Sequence, residues 1–346
     1  MEVTTPIQSY LDLNITSRPS VQDQHFFGHG KILLSAEYLI MDGALAIALP
    51  TKVGQALSVK YSPSFNPKLT WRSLDSTGRP WFEAQFEFWH FDVFQNGETE
   101  ASPISKETLY LQNLLRQVRK QNTHFLRDEV DVFVETRLGF PIDWGLGSSS
   151  TLIYNVAQWA YISPFKLAFD MSTCSGYDIA CAQSDGPILY RCDSSGPHWE
   201  TISFEPPFMK NLYLVYTGKK RDTAHAVGEY REKRQDDSDN IERMNEITKM
   251  MLQCQSLPEF EMLIRQHEDL LAKRLLMNSV KETYFKDYWG EIKSLGAWGG
   301  DFLLATSDKN EDVTKAYFSQ LGHDVFFRLQ DIILQRGLAA SQFPLQ

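Results

Sequence analysis

The chain has 346 residues, 42% of them hydrophobic and 13% aromatic, which is ample for globular cores and excludes a disordered polymer. With 44 acidic against 34 basic residues its formal charge is −10, which argues against a nucleic-acid or anionic-membrane binder. A small anionic ligand is not excluded, because it responds to a local pocket rather than to total charge. The length favours two domains. Cys174, Cys181, Cys192 and Cys254 form no CxxC pair and have no metal-ligand spacing, so they read as buried thiols in a reducing compartment. The N-terminal residues have neither a basic n-region nor an apolar h-region, and no apolar run approaches the roughly 20 residues of a membrane span. The expectation is a cytoplasmic protein, monomer or homodimer, with no membrane partner.

Residues 26–60 alternate glycine-marked turns with short apolar runs, and "KILLSAEYLIM" and "LAIALP" flank Asp42-Gly43 as the arms of a hairpin. The polar, aromatic-rich stretch to about residue 103 reads as further antiparallel strands or as an insertion. Ser105 opens a helix with Leu111, Leu114, Leu115 and Val118 on one face. In "VDVFVET" (130–136) Val130, Val132 and Val134 alternate as in a strand. After the loop "RLGFPID" comes "WGLGSSSTLIYNVAQWA", whose residues from Leu152 onward fit a helix face. "NLYLVYTG" (211–218) follows the connection "EPPF" as the first strand of a second domain. Two helices come next, one carrying Ile241, Met244, Ile247 and Met251. The other starts near Pro258 and carries Phe260, Leu263, Ile264, His267 and Leu271, with His267 as a packed core histidine. "DFLLAT" (301–306) and "DVFFRLQ" (324–330) read as strands with a helix between them. The charged run "EYREKRQDDSDNIER" reads as a solvated helix end or loop.

The stretch "GLGSSS" has a specific physics. Gly145 and Gly147 permit positive φ and close approach of the backbone to a ligand. Successive N–H groups at a helix start, backed by the helix dipole, favour a polyanion. The hydroxyls of Ser148 and Ser149 suit phosphate oxygens or Mg2+. No Gly-Lys-Ser/Thr follows, so it is not a Walker A loop, and the third glycine of the dinucleotide fingerprint is missing. Taken locally, two readings stand: a phosphate cradle, or a glycine-serine turn leading into a buried helix.

Two other stretches bear on that choice: "GHGKILLSAEYLIMDGALAIALP" (28–50) and "SLGAWGGDFLLAT" (294–306). In this order, with Pro141, three residues and then "GLGSSS" between them, the three segments resemble the signature motifs of the GHMP kinases. That superfamily is named for galacto-, homoserine, mevalonate and phosphomevalonate kinases. The resemblance implies an α+β chain in two domains. Residues 1–205 would form an ATP-binding domain like the second domain of ribosomal protein S5, and residues 206–346 a ferredoxin-like domain, with the site in the cleft between them. It also implies that Gly145, Leu146, Gly147, Ser148, Ser149 and Ser150 hold ATP, with Ser149 as a Mg2+ ligand. "CSGYDIACAQSDGPILYR" (174–191) resembles the SGxD segment of mevalonate-type members. Asp178 falls on its aspartate as the general base, and Lys31 on the lysine of the first motif. Glu37, Tyr38, Ser175, Gly176, Lys219, Gly299 and Gly300 fall on substrate-binding positions. The implied reaction is transfer of the ATP γ-phosphoryl group to a small anionic metabolite.

Tyr38 stands where mevalonate kinases have histidine and phosphomevalonate kinases often have tyrosine. Asp301 after Gly299-Gly300, and "LVYTGKKRDTAHAV" (214–227), resemble phosphomevalonate kinases too. Lys219, Lys220 and Arg221 read equally as an anion clamp or as solvated loop charges. These marks point to the mevalonate/phosphomevalonate branch without separating its substrates. Departures are His29 in place of proline, Trp298 inside the third motif, and the absence of the Mg2+-binding glutamate ahead of SGxD, where only Asp170 is offered. The rival readings are a GHMP kinase for a sugar or sugar phosphate, and a nucleotide-binding homologue without turnover.

Overall fold

A computed structural model describes residues 23–94, 104–127, 130–218, 228, 230–232, 236–296 and 300–336. Lys219, Lys220, Arg221, Trp298 and Gly299 lie outside the described residues. The chain is α+β, as the sequence implies. Its packing forms two compact units. One comprises the described residues up to Gly30 with Val53–Ile142 and Gly147–Gln183; the other comprises Lys31–Lys52, Asp143–Leu146 and the described residues from Ser184 onward. The units interleave along the chain, whereas the sequence suggested one division near residue 205. The physical reason is that strands β1 (Gln24–Leu33) and β2 (Ala46–Pro63) each run from one unit into the other.

In the first unit β2 pairs antiparallel with β5 (Val130–Leu138), from Gln55 opposite Leu138 to Pro63 opposite Val130. The polar, aromatic-rich stretch after β2 supplies an antiparallel hairpin, β3 (Lys68–Leu74) and β4 (Pro80–Glu87), with β3 parallel to β5. Alternation decides the faces of β5: Val132, Val134 and Thr136 are buried while Phe133 and Glu135 are exposed. Helix α1 (Lys106–Gln121) begins where the Ser105 side chain accepts from Thr108 N, and buries Leu111, Leu114, Leu115 and Val118. Helices α2 (Ser148–Trp159), α3 (Pro164–Met171) and α4 (Tyr177–Gln183) complete the core, in which Val156 and Trp159 join Leu57, Trp71 and Phe86. Near the end of α1 the Arg119 guanidinium donates to the carbonyls of Phe88, Trp89, Phe125 and Leu126, and lies 4.2 Å from the Phe91 ring centre. One side chain thus satisfies four backbone acceptors and fixes the loop after β4 against α1.

In the second unit β6 (Ile188–Asp193) pairs antiparallel with β7 (Gly196–Thr201) and with Ala46–Ala48 of β2. A four-stranded antiparallel sheet runs in the order β11-β8-β10-β9, comprising β8 (Leu212–Tyr216), β9 (Ile292–Ser294), β10 (Phe302–Thr306) and β11 (Phe326–Arg328). Its helices are α5 (Ser238–Gln253), α6 (Leu257–Leu275), α7 (Val280–Tyr284) and α8 (Glu311–Gln320), with a last short turn, α9 (Leu329–Ile332). The strand expected over 324–330 is shorter than its apolar pattern, because the chain turns helical at Leu329.

The hairpin expected around Asp42-Gly43 needs correction. β1 does pair with β2, yet residues 34–38 leave the strand and Leu39–Asp42 form a 3-10 turn. Ala36 and Tyr38 both have left-handed φ, 66° and 64°. The cause is Glu37 between them, whose carboxylate is held in the ionic cluster described below. None of the four cysteines forms a disulfide. Among the described residues no helix is long and apolar enough to cross a membrane.

Candidate functional site

The "GLGSSS" stretch is divided between the units, with residues 143–146 in the second and 147–150 in the first. In the first unit Gly147 caps α2 with φ 92°, and no side chain caps the helix start. The helix begins at Ser148, ahead of the apolar face that starts at Leu152. Ser150 is buried, and its hydroxyl donates back to Gly147 O at 2.8 Å, while Ser149 is exposed and Ser148 half-buried. The first-turn N–H groups of α2 have no carbonyl to reach within the helix, so its positive end is available to an anion.

Ser149 is not isolated. Its Oγ lies 2.9 Å from the hydroxyl of Tyr110 on α1, a residue that the sequence did not single out. Burial pushes the Tyr110 phenol above its ordinary range; the Ser149 hydrogen bond partly opposes this, and the nearby Asp178 carboxylate reinforces it. The phenol therefore keeps its proton. Asp178 sits in the first turn of α4, half-buried, with Oδ1 accepting from Ile179 N at 3.0 Å. Gly176, at φ 83°, offers its carbonyl to Ile179 N and Ala180 N, and Ser175 beside it is buried. Ser149 and Asp178, 29 positions apart, thus share Tyr110 as a neighbour.

Beside this group opens a cavity of about 380 Å3, a size within the roughly 300–1,000 Å3 of ligand pockets. Trp71, Trp81, Phe82, Leu138, Ile142 and Leu152 give it apolar walls, and Ser148, Ser149 and Tyr110 also line it. Asp170 is elsewhere: its carboxylate accepts from Lys166 Nζ at 2.8 Å and from Gln121 Nε2 at 3.0 Å. Among the described residues no three His, Cys, Asp or Glu side chains gather as a metal site.

The second unit brings the first and third motifs, and the front of the second, together. Lys31 N donates to Leu146 O at 3.0 Å. A Cβ added to Gly296 would stand 4.0 Å from Lys31 Nζ. Gly145, at φ 64°, is pressed so closely on Asp301 that a Cβ there would lie 1.9 Å from its Oδ2. Leu146 and Gly300 are buried.

Glu37 is 1% exposed and sits in an ionic cluster. Lys293 Nζ donates to Glu37 Oε1 and, at 2.8 Å, to Ser294 O. His267, expected as a packed core histidine, is wholly buried but surrounded by charge. Its Nε2 lies 3.0 Å from Glu37 Oε2 and 3.1 Å from Ala36 N, and its Nδ1 lies 3.2 Å from Glu268 Oε1. Burial pushes the Glu37 carboxyl up, but Lys293 and His267 outweigh it and hold it below the usual carboxylate range. Tyr38, 8% exposed, places its ring 5.4 Å from that of Tyr230. The Tyr230 hydroxyl donates to Asp42 Oδ2 at 2.6 Å, and Arg274 lies over its ring while binding Asp237.

No family model and no curated protein matches the chain. Solved structures do, among them three at low identity. A mevalonate kinase from L. major, solved with R-mevalonate, is 18% identical over 93% of this chain and 99% of its own, with TM-score 0.62. A phosphomevalonate kinase from Streptococcus pneumoniae, solved with phosphomevalonate and AMPPNP, is 15% identical over 88% and 100%, with TM-score 0.62. A galactokinase from Lactococcus lactis, solved with galactose, is 14% identical over 91% and 94%, with TM-score 0.64. The chain therefore has the fold of the GHMP kinases, which the three motifs implied.

Two substitutions test this geometry. Lys293→Met leaves Glu37 buried without its cation, which should cost about 3–5 kcal/mol in a urea melt. Adding Glu37→Gln to that variant should recover part of the loss, and strictly additive losses would disprove the coupling. Gly145→Ala should lower stability by about 1–3 kcal/mol, through the contact with Asp301 and the left-handed φ. An unchanged melting temperature would refute that close packing.

Proposed function

We propose that the chain is an ATP-dependent small-molecule kinase of the GHMP type, acting on mevalonate or phosphomevalonate. One observation carries the reading: an uncapped helix start bearing Ser148 and Ser149 opens beside an aromatic-walled cavity, with Tyr110 hydrogen-bonded to Ser149 and within the electrostatic reach of Asp178. The cavity suits the nucleobase, the N–H groups of α2 suit the phosphates, and the carboxylate suits a proton leaving an alcohol. The ligands in the mevalonate kinase and phosphomevalonate kinase structures support the acceptor class.

In this reading an acceptor oxygen attacks the γ-phosphorus, the bond from that phosphorus to the β,γ-bridging oxygen breaks, and ADP departs. For an alcohol acceptor the hydroxyl proton passes to Asp178. Lys31 offsets charge on the transferring group. The Ser149 hydroxyl fits Mg2+, which is commonly held by one or two protein oxygens together with substrate phosphates and would neutralise phosphate charge. Ser175 and Gly176 shape the acceptor side next to Asp178. Tyr38, Gly300, Lys219 and Gly299 complete the substrate set. Glu37, with its carboxylate in the ionic cluster, serves by holding the turn that carries Tyr38.

Mg-ATP-dependent phosphorylation of mevalonate, phosphomevalonate, galactose and homoserine tests the reading. Turnover of either of the first two is expected. The likeness to galactokinase keeps galactose in the panel, and turnover of it alone would replace the acceptor. ATP binding with silence on all four would favour the non-catalytic reading, to which the commitment of Asp170 to Lys166 gives some weight. Asp178→Asn should lower kcat about 10²–10⁴-fold with ATP affinity kept. Tyr110→Phe removes one oxygen and should raise the KM for ATP about three- to tenfold with little change in melting temperature. An unaltered KM would leave Tyr110 as packing alone.

A further inference from the structure

The cavity beside α2 has apolar walls; the exposed Lys106 and Glu107 at the start of α1 also line it, and the two buried polar side chains contributed by the sheet, Ser73 and Gln55, share a polarity. Ser73, on β3, lines it and is 5% exposed. Its Oγ accepts two hydrogen bonds, from Trp71 Nε1 at 3.2 Å and from Thr136 Oγ1 at 2.9 Å. A hydroxyl has two acceptor positions and one proton. Both acceptor positions are taken by the protein, so what Ser73 has left for the cavity is its O–H. Gln55, which also lines the cavity, behaves in the same way: its side-chain oxygen accepts from Thr151 Oγ1 at 2.8 Å, leaving the NH2 end.

We infer that Ser73 reads the nucleobase, its O–H donating to N1 of adenine and so selecting adenine over guanine nucleotides. The inference rests on the nucleotide-binding part of the proposed function and adds the group that chooses the base. N1 is the ring nitrogen that tells the two purines apart: it accepts in adenine and carries a hydrogen in guanine, whereas N3 and N7 accept in both. Donors facing donors in an apolar slot leave polar groups on both partners desolvated and unpaired. A site built around one hydrogen bond discriminates strongly against the analogue that cannot make it. The apolar walls supply affinity without regard to base, since any flat heterocycle offers a face to Trp71, Trp81 and Phe82. Discrimination therefore falls to the few polar groups. The hydrogen bonds from Trp71 and Thr136 also fix the Ser73 oxygen, so the donor is oriented before the ligand arrives.

The test measures binding of ATP, GTP and the 1-deaza, 3-deaza and 7-deaza analogues of ATP to the full chain by calorimetry. GTP should bind at least tenfold more weakly than ATP. The 1-deaza analogue should lose about three- to tenfold in affinity while the 3-deaza and 7-deaza analogues stay near ATP. GTP binding as tightly as ATP would overturn the inference, as would a 1-deaza analogue within twofold of ATP. These outcomes leave the kinase reading standing. Failure of every purine nucleotide to bind would sink the nucleotide reading and this inference with it. Ser73→Ala deprives Trp71 and Thr136 of their acceptor and is the harsher probe. If the variant folds, the sensitive deaza analogue should bind it as well as ATP does. A deaza penalty that persists in the variant would assign the contact to another group. If the variant does not fold, the ligand series on the native chain decides.

Discussion

Lys293, Glu37, Glu268 and His267 bring four ionisable side chains into a volume that water does not reach, each 0–3% exposed. Removing one such group from water costs several kcal/mol, and only contact with opposite charge offsets it. Their arrangement is consequently a constraint on position before it is a source of stability. Glu37 comes from the turn after β1, Lys293 from β9, and His267 and Glu268 from α6. Should the turn slip by one residue, Glu37 and Lys293 lose each other, and His267 Nε2 loses both Glu37 and Ala36 N. That is what holds Ala36 and Tyr38 in left-handed conformations, which side-chain-bearing residues disfavour by about 1–2 kcal/mol each. Ala36 N donates to His267 Nε2, and the Nδ1 of the same ring lies 3.2 Å from Glu268 Oε1, so one imidazole ties the turn to α6.

Around the same turn, polar contacts extend the constraint through neutral and charged groups in alternation. Asp42 at its end receives the Tyr230 hydroxyl, and burial together with Asp42 raises that phenol far above its usual range, so it stays a donor. Arg274 serves Asp237 and covers the Tyr230 ring. The backbone of Gly145 lies where any Cβ would collide with Asp301, which fixes the front of the "GLGSSS" stretch to the start of β10. In the second unit the motif residues are held by buried charge and by absent side chains, the two devices least tolerant of displacement.

How much of this was legible follows from range. Periodicity reported α1 and β5 correctly because their apolar faces repeat within a few residues, and Ser105 is a cap visible in the letters. It marked the apolar face of α2 only from Leu152, since Ser148, Ser149 and Ser150 carry no apolar signal although they form its first turn; there the glycines ahead of them were the mark of the helix start. It extended a strand through 34–41, where burial is real but belongs to a turn. Motif order revealed the fold, since it depends on a few short segments along the chain. The partners of those segments were hidden. Lys293 lies 256 residues from Glu37, and nothing local marks it as a buried cation. Tyr110 sits between Leu109 and Leu111 as one more residue of an amphipathic helix, and Ser73 as one polar residue in a strand.

In the proposed reading, those two hydroxyl residues explain how an acidic chain can prepare a site for an anion in its first unit. A neutral phenol is a better donor than an aliphatic alcohol, so the natural direction of the Tyr110–Ser149 hydrogen bond is from the phenol to Oγ. That occupies one acceptor position of Ser149 and turns its own proton outward, leaving the second acceptor position for a cation. Trp71 and Thr136 do the same to Ser73 more completely, since they fill both positions. In each case an internal donor converts an ambivalent hydroxyl into one with a defined polarity. Beside the exposed Lys106 and Glu107, the buried part of the walls then offers O–H and N–H groups, which on the proposed reading suit phosphate oxygens at one end and acceptor nitrogens at the other. No cluster of cations has to be buried to achieve it. With Asp178 in its proposed role, a buried cationic lining would bind a polyanion more strongly, but would also stabilise the ionised form of Asp178 and weaken it as a proton acceptor. Neutral donors would hold the anion at less cost to that basicity.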